Sequence, residues 1–285
     1  MIRSLFLDPA NQLRSGWKVA IFLIALRMAD QALVWLAPWL PYPDVHAEPL
    51  HIHYLLFIAC LLVTALFLRA EDQPLASVGL RLDRRWGRQW LAGILAGAAI
   101  MLVTALLAWL GGGFRLVRVP AVGPAQLLSG AVVFLGVALA EELQFRGYLF
   151  QRLIEGLGPW GAQLLLAILF ALDHWGNPGM TGATRAWASL NIGLAGILLG
   201  LCYLRTRSLA LPIGLHLGWN WTQGCLLGFG VSGTDVQGWW TPRFLGRPDW
   251  VTGGRFGLEA GLPCTLVCAV ALLLLSRYKP LWPSD

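Results

Sequence analysis

Apolar residues are gathered into long runs along this chain, and polar connectors separate the runs. A helix needs about 20 mostly apolar residues to cross the roughly 30 Å of hydrocarbon in a bilayer. Eight runs are candidates, at approximately 18–40, 54–68, 89–110, 125–143, 161–175, 187–204, 209–229 and 258–276. The pattern predicts an all-α polytopic membrane protein with about eight transmembrane helices.

The composition agrees with a membrane protein. Hydrophobic residues make up 57% of the 285 positions and charged residues only 13%, whereas a soluble domain carries about 25% charged residues. The formal net charge of +6 is interpreted as cytoplasmic loop charge rather than as a nucleic-acid site. The expected partners are therefore membrane lipids and no nucleic acid, and residues 1–285 are interpreted as one integral membrane domain.

The basic residues are unevenly shared between the two sides of the predicted bundle. With a cytoplasmic N-terminus, 14 fall on the cytoplasmic side, 6 on the other, and Arg27 lies within the first run. The cytoplasmic set is Arg3, Arg14, Lys18, Arg69, Arg81, Arg84, Arg85, Arg88, Arg146, Arg152, Arg205, Arg207, Arg277 and Lys279. The opposite set is Arg115, Arg118, Arg185, Arg243, Arg247 and Arg255. The excess predicts a multi-pass protein of the cell membrane with both termini in the cytoplasm.

Two carboxylates and an arginine follow the fourth run, in the stretch ALAEELQFRGYLFQRL at 138–153. Ionisable groups inside a membrane are costly unless they are paired or hydrated. Glu142 and Arg146 are four residues apart with the acid first, which favours an ion pair within one helix. Glu141 lies about 100° round the helix from Glu142, so we expect it to stay unpaired. An unpaired carboxylate in a low-dielectric site can act as a general base.

Two further motifs lie in the later runs. Phe170 and His174 share a helix face in LLLAILFALDHWGNPGMT, and the following Asn-Pro-Gly sequence ends that helix. His216 and Asn220 are four residues apart in LALPIGLHLGWNWTQG, on one face of the seventh helix. An imidazole and an amide can both donate hydrogen bonds, so this pair could stabilise an oxyanion.

Together these residues form a set that can hydrolyse an amide with an activated water. Glu141 with His174 would deprotonate the water, and His216 with Asn220 would hold the tetrahedral oxyanion. Each motif also has a purely structural explanation: a Glu–Glu–Arg cluster, an interfacial histidine, and a hydrogen bond between helices. The presence of all three favours a polar catalytic cavity between the central helices.

The three motifs resemble those of a known family. EExxxR at Glu141–Arg146, FxxxH at Phe170–His174 and HxxxN at His216–Asn220 are similar to the motifs of the CPBP family. This family comprises the CAAX proteases and bacteriocin-processing enzymes, also called Abi proteins, and includes the Rce1-type prenyl endopeptidases. The segments HWGNPGMT and NIGLAGILLGLCYLRTRSLALPIGLHLGWNW look like those of bacterial members. The resemblance covers about 125–233, which is expected to be the core protease module.

The resemblance implies an eight-helix intramembrane endopeptidase. By motif matching, Glu141 would be the catalytic glutamate and His174 its partner in water activation. His216 and Asn220 would form the oxyanion site. Glu142 and Arg146 would support these four residues. The substrate would be a membrane-associated peptide or protein, either of the prenylated CAAX type or bacteriocin-like.

Two alternatives stay open at the level of the sequence. Two histidines and a glutamate could bind zinc, as in many metalloproteases, but no HExxH sequence is present. The favoured mechanism is glutamate-dependent and needs no metal or other cofactor. A non-enzymatic immunity or transport protein could use the same polar cluster to bind an ion or a peptide. Transporters often show inverted repeats, and the absence of such a repeat favours the enzyme.

The predicted topology contains one conflict. Glu141 falls near the cytoplasmic end of the fourth run, whereas His174 falls near the far end of the fifth. The two residues can meet only if segment 144–160 dips into the membrane or if the short fifth helix stops partway. Irregular backbone at membrane depth is tolerated where it lines a hydrated cavity.

Overall fold

The computed structural model describes residues 2–36 and 50–277, and most of these residues are helical. The α-helices in these ranges are α1 (Ile2–Phe6), α2 (Ser15–Leu36), α3 (Leu50–Ala70), α4 (Arg84–Leu110), α5 (Pro124–Arg146), α6 (Tyr148–Asp173), α7 (Gly182–Thr206), α8 (Ala210–Trp221), α9 (Asp249–Thr252) and α10 (Leu262–Arg277). The strands are β1 (Phe114–Arg118) and β2 (Trp240–Phe244). A π-helical turn, Thr222–Leu226, continues α8.

Each of the eight apolar runs overlaps a helix of the structure. The first run begins in α2, and its last residues lie outside the described part of the chain. Within residues 2–36 and 50–277, four helical stretches are long and apolar enough to cross a membrane: Ile52–Ala70, Arg84–Leu110, Pro124–Gly176 and Gly182–Thr206. Helix α10 is apolar but shorter, with 16 residues. A helical membrane fold is therefore supported, while the number of eight spans stays a prediction.

The helical path beyond α5 corrects the predicted position of Glu141. After a break at Gly147, the segment 148–157 is again helical and extends for about 15 Å, at 1.5 Å per residue. Glu141 therefore lies well before the end of this path, and α5 ends at Arg146, three residues beyond the predicted run. Arg146, the last residue of α5, is buried inside the protein, with 2% of its surface exposed. Its assignment to the cytoplasmic side stays a prediction, as does the orientation of the whole chain.

A reversal at Gly158 brings the chain back to the level of Glu141. The backbone of Gly158 has φ 72° and ψ 168°, a conformation that is essentially confined to glycine. Pro159 then begins the second helical part of α6, where a missing N–H costs nothing. Phe170 of this part packs edge-on against Phe145, with ring centroids 5.0 Å apart. The second part thus ends beside the C-terminal turns of α5, which removes the conflict between Glu141 and His174.

Contacts between distant segments define the two ends of the bundle. At one end, the Glu71 carboxylate lies 3.1 Å from both Lys18 and Arg152 and accepts a hydrogen bond from the Tyr148 hydroxyl at 2.7 Å. At the other end of α4, β1 pairs with β2. The 27 residues of α4 separate these ends by about 40 Å. The connector 69–88 and the Gly- and Trp-rich segment 228–257 therefore lie at opposite ends.

Glycines bring α4 and α8 into close contact along their lengths. A Cβ atom on Gly97 would collide with the carbonyl oxygen of Leu215, and one on Gly218 would collide with that of Ile94. The same relation holds for Gly93 and Gly214, whose Cβ atoms would meet the backbone of the facing helix. Such small residues four apart let two membrane helices approach closely. This contact fixes α8, the helix that carries His216 and Asn220.

The small sheet is a departure from the all-α prediction. Strands β1 and β2 are antiparallel, with a register from Phe114 opposite Phe244 to Arg118 opposite Trp240. The Arg118 guanidinium lies 3.9 Å from the centroid of the Trp239 ring and donates to the Trp239 carbonyl at 3.0 Å. Each strand has five residues, and runs of this length cannot be assigned by periodicity alone.

Candidate active site

The site is built around a buried ion pair near the end of α5. Glu142 has no exposed surface, and Nη1 of Arg146 lies 3.2 Å from Glu142 Oε1. Nη2 of Arg146 donates to the carbonyl oxygen of Gly196 in α7 at 3.1 Å. The guanidinium carbon also lies 4.8 Å from the centroid of the Phe170 ring, in cation–π range. The ion pair expected from the spacing is present, and it connects α5 to α6 and α7.

His216 binds the same carboxylate oxygen from α8. Its Nδ1 lies 2.8 Å from Glu142 Oε1, and because an ionised carboxylate only accepts hydrogen bonds, Nδ1 donates. Its Nε2 lies 3.9 Å from Oε2 of Glu141. The Phe170 ring stands edge-on to the imidazole, with centroids 6.5 Å apart. The buried imidazole of His216 is therefore held between two carboxylates and one aromatic ring.

Glu141 and Glu142 have different surroundings, as the helical spacing predicts. The Glu141 side chain is 29% exposed, whereas that of Glu142 is fully buried. Oε2 of Glu141 accepts no hydrogen bond from the described part of the chain. Within these residues its ion-pair contact below 4.0 Å is with His216 rather than with His174. Oε1 of Glu142 is thus engaged by two charged or polar side chains, whereas Oε2 of both glutamates has no hydrogen-bond partner among the described residues.

His174 directly follows α6 and is oriented by that helix. Its Nδ1 lies 2.7 Å from the carbonyl oxygen of Phe170. A carbonyl can only accept, so Nδ1 carries the proton, and Nε2 of the neutral ring is a hydrogen-bond acceptor. The imidazole also stands edge-on to the Phe170 ring, with centroids 4.8 Å apart. Because the FxxxH spacing binds Nδ1 of His174 to the helix, Nε2 is the nitrogen that stays free to accept a hydrogen bond.

A small cavity brings the two histidines and Asn220 together. His174, His216 and Asn220 all line it, and its volume is ≈ 40 Å³. This is room for about three or four water molecules, at 10–15 Å³ each. Asn220 lies one turn beyond His216 on α8 and is 7% exposed. Glu141 does not line this cavity and is connected to it through His216.

Two polar residues of the cavity wall were missed in the sequence analysis. Asn191 in α7 is fully buried, and its Nδ2 donates to the carbonyl oxygen of Glu259 at 2.8 Å. The Glu259 carboxylate accepts hydrogen bonds from Nε1 of Trp219, at 3.3 Å, and from the backbone N–H of Ser232. An amide inside an apolar run is costly unless it is hydrogen-bonded, and this signal in the sixth run could have identified Asn191.

Zinc, the alternative considered for this site, has no matching ligand group. Among residues 2–36 and 50–277, no cluster of three or more His, Cys, Asp and Glu side chains could hold a metal ion. A zinc site needs at least three converging protein ligands. The described residues therefore show no three-ligand zinc site, and no catalytic step is assigned to the metal.

The fold and the site define a helical membrane protein with a carboxylate, histidine and asparagine cluster around a small cavity. Residues 123–222 match the family model of the Rce1-like proteins, described as Type II CAAX prenyl endopeptidase Rce1-like. The match runs from the residue before α5 to the residue after α8 and includes all three motifs. The resemblance inferred from the motifs is thereby confirmed, and the family is one of membrane proteases. No curated protein matches the sequence.

Proposed function

We propose that this protein is an intramembrane endopeptidase of the glutamate-dependent type. Its substrate would be a membrane-associated peptide or protein, of the prenylated CAAX type or bacteriocin-like. The observation that supports the proposal best is the position of His216, between the paired Glu142 and the unpaired Glu141. The match to a family of proteases over residues 123–222 supports the same reaction class.

In the proposed reaction, Glu141 is the general base. Its free Oε2 accepts a proton from water, while Nε2 of His174 accepts the water's second hydrogen as a hydrogen bond and orients it. The water oxygen attacks the peptide carbonyl and forms a tetrahedral intermediate. When the C–N bond breaks, the protonated Glu141 returns its proton to the leaving amine. The products are a carboxylic acid and an amine, which become a carboxylate and an ammonium group when the acid's proton passes to the amine, and no cofactor takes part.

His216 and Asn220 form the proposed oxyanion site. In its protonated form, His216 donates from Nδ1 to Glu142 and has a second donor, Nε2–H, for the oxyanion. The positive charges of His216 and Arg146 then balance the two glutamates, so the cluster as a whole is neutral. Preorganised donors in a water-poor site are among the largest contributors to catalysis. Arg146 and Glu142 act through His216 and need not touch the substrate.

The test is cleavage of a membrane-peptide library by the purified protein. Glu141→Gln keeps the size of the side chain and removes the base, so kcat should fall by about 10²- to 10⁴-fold. Asn220→Ala removes one oxyanion donor, and kcat should fall by about 10²- to 10³-fold. Glu155→Gln is the control, because Glu155 is 45% exposed and pairs with Arg152 away from the cavity. Activity that survives in Glu141→Gln would contradict the assignment of the base.

The metal question has its own measurement. Chelator treatment should leave the wild-type activity unchanged, because the proposed base, orienting group and oxyanion donors are all protein side chains. Loss of activity that added zinc restores would overturn the metal-free mechanism. Total absence of cleavage by the wild type across the library would favour a binding protein over an enzyme.

A further inference from the structure

Glu259 is a buried carboxylate that the proposed reaction does not use. It lies in the turn Leu258–Ala260 before α10 and is 4% exposed. It lines the same cavity as His174, His216 and Asn220. A substrate whose peptide bond reaches the two histidines would therefore also pass this carboxylate.

The charge of Glu259 has no counter-charge in the described part of the chain. Its hydrogen-bond donors, Nε1 of Trp219 and the backbone N–H of Ser232, are both neutral. No lysine or arginine of the described residues lies within 4.0 Å of it, and none lines the cavity. Arg146 and, in its protonated form, His216 are both already paired with Glu142. A buried ion without a partner costs several kcal/mol, so a cation that enters the cavity gains from this carboxylate.

The surrounding hydrogen bonds hold Glu259 in place. Asn191 donates to the carbonyl oxygens of Glu259 and Gly261, at 2.8 and 2.9 Å. Asn191 is itself fixed by the hydroxyl of Thr265, which donates to its Oδ1 at 2.7 Å. The turn is thus connected to both α7 and α10. A carboxylate held in this way is preorganised, and little entropy is lost when it binds a ligand.

We propose that Glu259 forms a substrate subsite for a positively charged group, and this inference rests on the proposed protease function. The group is a lysine or arginine side chain, or a free amine, close to the peptide bond that is cut. An ammonium group is about the size of a water molecule and suits a cavity of ≈ 40 Å³. A negatively charged group at the same position is repelled by Glu259.

Matched peptides test the subsite. A set of membrane-anchored peptides differs only in Lys, Gln or Glu at successive positions on each side of the cleaved bond. At one position, the wild type should cleave the Lys peptide about ten- to a hundredfold more efficiently in kcat/KM than the Gln peptide, the range for a hydrogen bond to a charged group. Glu259→Gln keeps an acceptor for Trp219 but loses the charge, and the Lys preference should disappear. Glu259→Asp keeps the charge and should retain part of the preference.

The controls separate this inference from the proposed function. Glu155→Gln also removes one negative charge, but at a surface distant from the cavity, and this variant should retain the full Lys preference. The same peptides are also measured for binding to the inactive Glu141→Gln variant, where tighter binding of Lys than of Gln is expected without any catalysis. Equal binding of the Lys and Gln peptides, or a preference that survives in folded Glu259→Gln, would overturn the subsite. Loss of all cleavage together with an intact binding preference would instead contradict the protease function alone.

Discussion

Glu142 is the residue on which the site is organised, because a single oxygen, Oε1, accepts from both Arg146 and His216. Removing one partner of a buried pair leaves an uncompensated charge, which costs about 3–5 kcal/mol. Arg146→Met should therefore lower the free energy of unfolding by about this amount. The double variant Glu142→Gln with Arg146→Met should recover most of the loss, since no buried charge is left unpaired. Unfolding of the purified protein in detergent measures both.

Activity measurements separate the effect of Glu142 on His216 from its contribution to the stability of the fold. In the double variant, Nδ1 of His216 loses its carboxylate, so cleavage should stay far below wild type although the fold is restored. An Arg146→Met variant as stable as wild type would show that the buried pair contributes nothing to the fold. A double variant with wild-type activity would show that His216 does not need the carboxylate.

The same residues show what the sequence could and could not predict. The Glu142–Arg146 pair follows from a spacing of four on one helix, so it was predictable from local geometry. The hydrogen bond between Glu142 and His216 joins residues 74 positions apart and depends on how α5 packs against α8. For the same reason, Glu141 was expected beside His174, whereas its contact in the structure is with His216. Asn191 and Glu259 lie within the sixth and eighth apolar runs, but only tertiary packing brings them together in the cavity wall.

At the scale of elements, the close contact of α4 with α8 sets the position of His216 and Asn220. Gly97→Ala would place a Cβ atom against the Leu215 carbonyl and 2.7 Å from the Trp219 nitrogen. The helices would have to separate, so the unfolding free energy should fall by about 1–3 kcal/mol and kcat should fall with it. Gly87→Ala lies in the same helix with no atom within 4 Å of the added carbon, and it should be neutral or slightly stabilising. Equal behaviour of the two variants would contradict the packing role.

The change of chain direction at Gly158 is a second feature at the scale of elements. The apolar pattern located both helical parts of α6, but hydrophobicity carries no information on the direction in which the chain continues. An alanine at position 158 has free space around its Cβ, so the cost is purely conformational, about 1–3 kcal/mol.

Gly158→Ala should therefore lower both stability and activity, because His174 is carried by the returning part of α6. Gly156→Ala is the matched control, since its Cβ meets only Ser15, at an ordinary distance of 3.5 Å. Thermal unfolding and cleavage assays of the two variants test this. A Gly158→Ala variant that behaves like Gly156→Ala would show that the site tolerates a different path at the reversal.

At the scale of the whole molecule, the charge asymmetry predicts which end of the bundle faces the cytoplasm. The connector 69–88 and the segment 228–257 lie at opposite ends of α4, and the excess of basic residues predicted on the side of the connector favours that end as cytoplasmic. Gln73→Cys and Gln237→Cys place the same exposed thiol at the two ends. The five native cysteines are all buried, so the wild type provides an unlabelled control.

A membrane-impermeant maleimide should label Gln237→Cys in intact cells and Gln73→Cys only after permeabilisation. This outcome follows if α4 crosses the bilayer once and the positive-inside bias orients the chain. The opposite labelling pattern would reverse the orientation but keep the crossing. Labelling of both thiols from the same side would contradict the crossing itself.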